Sequence, residues 1–258
     1  MGQAMEPVLR DTPEPHVARL KLNRPERRNA IDRELRHALI DGVAAALEDP
    51  EVRVLVLTGS GGAFSAGGDV ASMTGLDTAS VRARMQDGQR LVRLLAGAGK
   101  PLIAAVDGWV VGAGAGLALL CDTVVAGRSS RFGFSFFRVG LVPDYALALT
   151  LAQRVGAGRA RQWLLYARTV TAEQGLAAGL VDDLVEDDAV MATALERARE
   201  LAAQPPHAVA LAKRLLAQMP LPMETALEME LMAQTLCFLS PEAAEGRAAF
   251  LEKRPPRF

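Results

Sequence analysis

From Val17 to Leu22 apolar residues alternate with more polar ones, the period of a half-buried strand, and Asn23-Arg24-Pro25 then turns the chain. Behind Asp32, a residue type whose carboxylate accepts hydrogen bonds from a helix's first turn, Leu35, Leu39, Ile40, Val43 and Leu47 recur at helical spacing and stop before Pro50. Val52 to Thr58 is a dense β-branched and aliphatic run, which predicts a strand buried on both faces. Gly59 to Gly68 then carries five glycines in ten residues, a loop selected for its backbone. The pattern repeats: a helix over Arg82–Leu95, a buried strand over Pro101–Val106, a second glycine-rich segment over Gly108–Gly116, and an apolar run over Leu117–Leu120. Val124 and Val125 predict a short strand, and Phe132 to Phe137 is an aromatic patch without clear period. Tyr145 to Val155 reads as a helix capped by Asp144, and a helix-rich remainder follows from Thr171. Strand, loop and helix in repeated succession predict an α/β fold. Pro205-Pro206 marks a boundary between a core over residues 1–204 and a helical tail over 205–258, which is too small to bury its own apolar face.

Composition narrows the picture. The chain has 258 residues, half of them hydrophobic and 23% charged, which excludes a disordered or fibrous protein. Thirty acidic residues against 29 basic ones leave a net charge of −1, with no basic field for a nucleic acid and no polybasic block for a membrane. Two cysteines, Cys121 and Cys237, and three scattered histidines, His16, His37 and His207, make neither a disulfide framework nor a metal site. Met1 to Pro15 lacks the apolar stretch of a signal peptide, and Gly2 lacks the Ser or Thr at position 6 that N-myristoylation requires. Leu102 to Leu120 is apolar but interrupted by Asp107 and by glycines, as strand, turn and buried helix would be. A soluble, cytoplasmic protein without metal is expected.

Both glycine-rich segments follow a buried strand and open a helix. Such a turn aims free backbone N–H groups at one spot, where an anion or a developing oxyanion is stabilised. Neither is a standard phosphate loop: position 117 is Leu, so G-x-G-x-x-G is not met after Gly112 and Gly114, and no Gly-Lys-Ser/Thr follows. Taken singly, each is better read as tight turning and close helix packing.

Taken together and in order, these segments resemble the crotonase family, the enoyl-CoA hydratases and isomerases. The resemblance rests on Leu22-Asn23-Arg24-Pro25 with Asn29-Ala30, on Gly62-Ala63-Phe64-Ser65-Ala66-Gly67-Gly68-Asp69, and on Val106-Asp107-Gly108 through Gly112–Gly116 to Cys121-Asp122. Gly140-Leu141-Val142-Pro143-Asp144, Leu176–Val181 and Glu245–Arg254 extend it to the C-terminal end. It implies a spiral of ββα units ending in helices that build a homotrimer or a dimer of trimers, an acyl-CoA thioester as substrate, and no cofactor beyond that CoA. The implied oxyanion donors are the N–H groups of Ala66 and Ala113, where losing one donor typically costs ~3 kcal/mol of barrier. The implied CoA contacts are Arg24 and the first loop, Ala63, Ala66, Gly67, Gly68, Asp69 and Val70, whose carbonyls would hold the adenine. Phe250 and Lys253 would reach a neighbouring subunit's CoA, although Lys253 could equally be a solvated tail charge.

Family hydratases activate water with two glutamates, and the corresponding positions here hold Gly116 and Phe136. Phe134, Phe136 and Phe137 form an apolar wall suited to the acyl group instead. The acid that remains is Asp144, placed as in the isomerase branch that includes the phenylacetate-pathway epoxide isomerase. One carboxylate can carry a proton between C2 and C4 of an enoyl thioester while the oxyanion donors hold the dienolate. Asp144 could otherwise be a plain helix cap, worth ~1 kcal/mol. Asp69 is read as a loop organiser and Asp122 as structural. Hydration by an atypical acid and a catalytically silent CoA-ester-binding protein stay open. A dehalogenase-like enzyme lacks its histidine between residues 70 and 120, and RNA binding lacks its basic helix.

Overall fold

The computed structural model describes residues 6–258, so Gly2 and the start of the Met1–Pro15 segment lie outside the described residues. Six strands form the main sheet: β1 (Val8–Glu14), β2 (Val17–Leu22), β3 (Val54–Gly59), β4 (Leu102–Val106), β6 (Thr123–Gly127) and β9 (Asp183–Val185), in the order β1-β2-β3-β4-β6-β9. All neighbours are parallel except β1 and β2. A second sheet pairs β5 (Trp109–Val111), β7 (Arg131–Gly133) and β8 (Thr169–Thr171). The order is a ββα spiral: β4 and β6 each run into a strand of the small sheet, β5 or β7, before the next helices.

The central strands are buried on both faces, as their aliphatic runs require. Leu55 and Leu57 of β3 face the larger core, with α1 (Arg33–Glu48), α2 (Thr78–Ala96) and α3 (Ala113–Leu119). Val54 and Val56 face the opposite side, covered by Val190, Ala194, Ala198 and Ala202 of α7 (Val190–Ala202). Asp32 caps α1 by accepting from Leu35 N at 3.0 Å, and Leu35, Leu39, Ile40 and Val43 are buried as expected.

One strand goes unread in the sequence and two expectations need correction. β1 lies in a stretch rich in Pro and charge; as an edge strand it needs one partner and little burial, so its sequence carries no alternation to read. α2 starts at Thr78 rather than Arg82, because Asp77 accepts from Ser80 N at 2.7 Å and caps it there. The second is α4, which spans Leu147–Val155 and is preceded by Tyr145 and Ala146 at φ 49° and 56°. Asp144 therefore lies three residues before the helix, and its side chain caps nothing.

α5 (Ala157–Leu165) and α6 (Ala172–Ala178) complete the core. Beyond Pro205 run α8 (Pro206–Leu216), α9 (Met223–Phe238) and α10 (Pro241–Glu252). α8 is tied to the core by the Lys213–Asp122 ion pair, and Asp122 also accepts from Leu102 N at 2.7 Å, the structural role expected of it. Among the described residues no helix is long and apolar enough to cross a membrane.

Candidate active site

The two glycine-rich loops are laced together by their backbones. Ser65 N donates to Trp109 O at 3.0 Å, and Val111 N donates back to Ser65 O at 2.9 Å. Asn29, fully buried at φ 54°, fixes the first loop to the preceding turn. Its Oδ1 accepts from Arg24 N at 2.8 Å, and its Nδ2 donates to Ser60 O at 2.9 Å and Ala63 O at 2.7 Å. Ser65 Oγ donates to Asn29 O at 2.8 Å while accepting from Gly67 N at 3.1 Å.

This lacing decides which N–H groups are free. Ala66 N–H donates to Arg28 O at 2.8 Å, so the expectation that it serves as an oxyanion donor is corrected. Ile31 N donates to Gly67 O at 2.7 Å and Asp69 N to Ile31 O at 3.2 Å, a short parallel bridge. Alternation along that bridge turns the Gly68 N–H the other way, and among the described residues it has no acceptor. Ala113 N–H, at the first position of α3, likewise has none. Gly67 keeps the loops close: at φ 90° a Cβ there would stand 2.6 Å from Val111 O. The missed signal was the Ser65–Gly67 hydrogen bond, which sets the strand phase and which no spacing rule reveals.

Gly68, Ala113 and Asp144 line one small cavity together with Tyr145, Arg36 and Arg84. Asp144 Oδ1 is buried without a hydrogen-bond partner among the described residues. Burial pushes its pKa above the ordinary carboxylate value; its own backbone N–H, Arg84 and Arg36 oppose this in part. The left-handed Tyr145 that follows turns its side chain inward, and burial pushes its phenol up to about 12 against the pull of Arg36. Gly116 completes this wall: a Cβ there would stand 2.6 Å from Tyr145 Cβ and 3.1 Å from Tyr145 O. The backbone that delivers Asp144 thus occupies the space a side chain at 116 would need.

The other expected site residues are distributed. Phe136 is buried with its ring edge 3.7 Å from where a Gly112 Cβ would be, next to the second loop. Phe134 is buried too but stacks on Trp163 at 5.7 Å, and Phe137 is exposed. Asp69 organises its loop as expected, pairing with Arg27 at 3.1 Å and accepting from Ala71 N at 3.0 Å. Arg24 is engaged by an ion pair with Asp32. The carbonyls of Ala63, Ser65, Gly67 and Val70 accept protein N–H groups, and that of Asp69 accepts the Ser72 hydroxyl, whereas those of Ala66 and Gly68 have no donor among the described residues. Phe250 and Lys253 lie at the exposed end of α10, where Phe250 borders an apolar groove with Phe238 and Phe258.

The family described as enoyl-CoA hydratase/isomerase matches residues 13–258. The chain belongs to the enoyl-CoA hydratase/isomerase family. It is 38% identical over 244 residues to the 2,3-dehydroadipyl-CoA hydratase of Escherichia coli (strain K12), covering 94% of each chain. It is 36% identical over 247 residues to the 1,2-epoxyphenylacetyl-CoA isomerase of the same strain, again covering 94% of each. Among solved structures it resembles an enoyl-CoA hydratase from Bacillus anthracis with a TM-score of 0.94 at 29% identity, over 98% of both chains. Membership bears out the crotonase fold read from the six ordered motifs. The relatives' names include hydratases and an isomerase, so the reaction has to be argued from the site.

Proposed function

We propose that the protein moves the double bond of an enoyl-CoA thioester by proton transfer at Asp144. The observation that carries this reading is the Asp144 carboxylate, whose buried Oδ1 has no hydrogen-bond partner among the described residues, sharing a cavity with the N–H groups of Gly68 and Ala113, which have no acceptor among them. The thioester oxygen accepts from both N–H groups, which acidifies C2–H and stabilises the dienolate. Asp144 takes the proton from C2 and returns it to C4, so the carboxylate ends as it began and no water is consumed. Burial supports the base role by keeping Asp144 more basic than an exposed carboxylate. Gly116 supports isomerisation over hydration, since the Tyr145 backbone leaves no room there for the first water-activating glutamate. Phe136 supplies an apolar boundary, and the free carbonyls of Ala66 and Gly68 suit the adenine amino group. The exposed Met223, Leu227, Leu231 and Leu236 of α9 support assembly into a trimer or a dimer of trimers.

The test is incubation of the purified protein with a 3-enoyl-CoA and, separately, a 2-enoyl-CoA in deuterated water, followed by mass spectrometry. Conversion of the 3-enoyl to the 2-enoyl ester without a hydroxyacyl product is expected. Asp144→Asn is expected to lower that rate by about 100-fold or more. A hydroxyacyl product as the main outcome would overturn the isomerase reading in favour of hydration by an atypical acid. Tight ester binding without turnover would favour a silent binding protein.

A further inference from the structure

Asp144 shares its cavity with a guanidinium that the proposed reaction leaves unused. Arg36 of α1 lines that cavity beside Asp144, Tyr145, Gly68 and Ala113. It is only 4% exposed, yet the chain satisfies little of its fork. Nη1 donates to Asp32 O at a long 3.4 Å. Nη2 stands 3.8 Å from Asp87 Oδ2, an oxygen already bonded to His37 Nε2 at 2.8 Å. Nε has no hydrogen-bond partner among the described residues, and neither has Oδ1 of Asp144. One of these buried atoms is a donor, the other an acceptor, and their side chains border the same space.

That space is about 10 Å³, what a single water molecule needs. A buried charged group left without a hydrogen bond is strongly destabilising, and buried waters sit where such groups converge. The other charged and titratable groups around Asp144 are accounted for. Arg84 of α2 faces it from the thioester end, with Nη2 3.4 Å from the Cβ position of Gly68 and Nη1 donating to Ser72 Oγ at 3.0 Å. Tyr145 follows it in the chain, Asp69 of the first loop faces Arg84, and Asp87 and His37 lie behind Arg36.

We propose that one fixed water bridges Arg36 and Asp144, accepting from Nε–H and donating to Oδ1, and that through it Arg36 is the positioning residue of the base. This rests on the reading of Asp144 as that base. The water is part of the site and not a reactant. By holding Oδ1 it fixes the carboxylate and leaves Oδ2 for the substrate proton. It also sets the charge balance. Direct contact with a guanidinium would make the carboxylate a weak base, and burial without any cation would keep it protonated. A cation one water away keeps Asp144 ionised without taking the oxygen that has to accept the proton.

The first measurement needs no turnover: a crystal structure of the unmodified full-length protein at a resolution that shows ordered water. One water within about 3.2 Å of both Arg36 Nε and Asp144 Oδ1 is expected. A direct bond between the two side chains, a water at the Gly68 and Ala113 N–H groups alone, or a dry cavity would overturn the proposal, however the variants fold. The second measurement is the pH profile of 3-enoyl-CoA conversion. Arg36→Met is expected to lower kcat about 10-fold with KM little changed, since Arg36 does not touch the ester. It is also expected to move the acid limb of kcat/KM to higher pH, because a cation that favours the carboxylate is gone. Arg36→Lys keeps the charge and should return the limb toward its original place. His37→Gln, outside the cavity, should leave the limb unmoved. A lower kcat with an unmoved limb in Arg36→Met would make Arg36 a packing residue and overturn its positioning role. A limb displaced by His37→Gln would overturn its assignment to Asp144. A bridging water without double-bond transfer in the unmodified protein would overturn the isomerase reading, and with it the base to be positioned, while the bridge itself stands.

Discussion

Gly116 and Gly88 both pack on Tyr145, and an alanine at each should behave oppositely. At Gly116 the added methyl carbon would stand 2.6 Å from Tyr145 Cβ and 3.1 Å from its carbonyl oxygen, both on or next to the backbone. Carbon atoms in contact settle at about 3.5–4.0 Å, so the Tyr145 segment has to move by roughly 1 Å. Overpacking of this kind costs about 1–3 kcal/mol, against up to about 1 kcal/mol returned by alanine's better helix propensity. A net loss of about 1–2 kcal/mol is expected for Gly116→Ala. At Gly88 the added methyl would meet the ring of Tyr145 at 3.5 and 3.6 Å and its hydroxyl at 3.7 Å, ordinary contact distances. Gly88→Ala should therefore be neutral or up to about 1 kcal/mol stabilising, leaving a gap of about 1–3 kcal/mol between the variants. Urea unfolding at a single protein concentration measures it. Because Asp144 precedes Tyr145 directly, Gly116→Ala should also reduce turnover while Gly88→Ala should not. A Gly116→Ala protein as stable as Gly88→Ala would refute the claim that the Tyr145 backbone fills the space at position 116.

Further outcomes follow from the same geometry. Burial raises the Asp144 pKa above its ordinary 3.8, and the base must be ionised, so kcat/KM should fall on acidification with an apparent pKa above that value; an acid limb at or below it would contradict the burial argument. The same shift makes Asp144 favour folding only while protonated: its contribution is full below 3.8 and is lost as pH rises through the raised folded value. Asp144→Asn should thus gain stability relative to the unmodified protein as pH approaches neutrality, and urea midpoints whose difference is flat with pH would count against it. Asn29→Ala removes three hydrogen bonds from a fully buried site at positive φ and should cost about 2–3 kcal/mol, with loss of ester affinity because the first loop is no longer anchored. An Asn29→Ala protein with unchanged urea midpoint and affinity would show that the loop holds without it.

The core of this fold is legible in the chain because local patterns and burial agree there. Branched aliphatic runs gave β3 and β4, Asp32 with its helical stripe gave α1, and ordered glycine motifs gave the family and the two loops that face each other. An exposed edge such as β1 and a three-residue strand such as β5 leave no such pattern, since few of their side chains are committed to the core.

What the sequence determined by itself is the repeated strand–loop–helix order, the absence of both glutamates at positions 116 and 136, and the candidacy of Asp144. Which N–H groups are free was decided only in three dimensions. Ala66 and Gly68 are two residues apart in one glycine-rich loop, yet the carbonyl of Arg28 engages the first, while the Ile31 bridge turns the second toward the cavity. Likewise Asp144 precedes a helix in sequence and would cap it, but left-handed turns at Tyr145 and Ala146 carry the carboxylate away from α4 and into the cavity. Arg36, Arg84 and Tyr145 join that site from helices and turns far apart in the chain. A sequence fixes which groups a residue offers; their partners, and so their chemistry, follow from the contacts that only the packed chain makes.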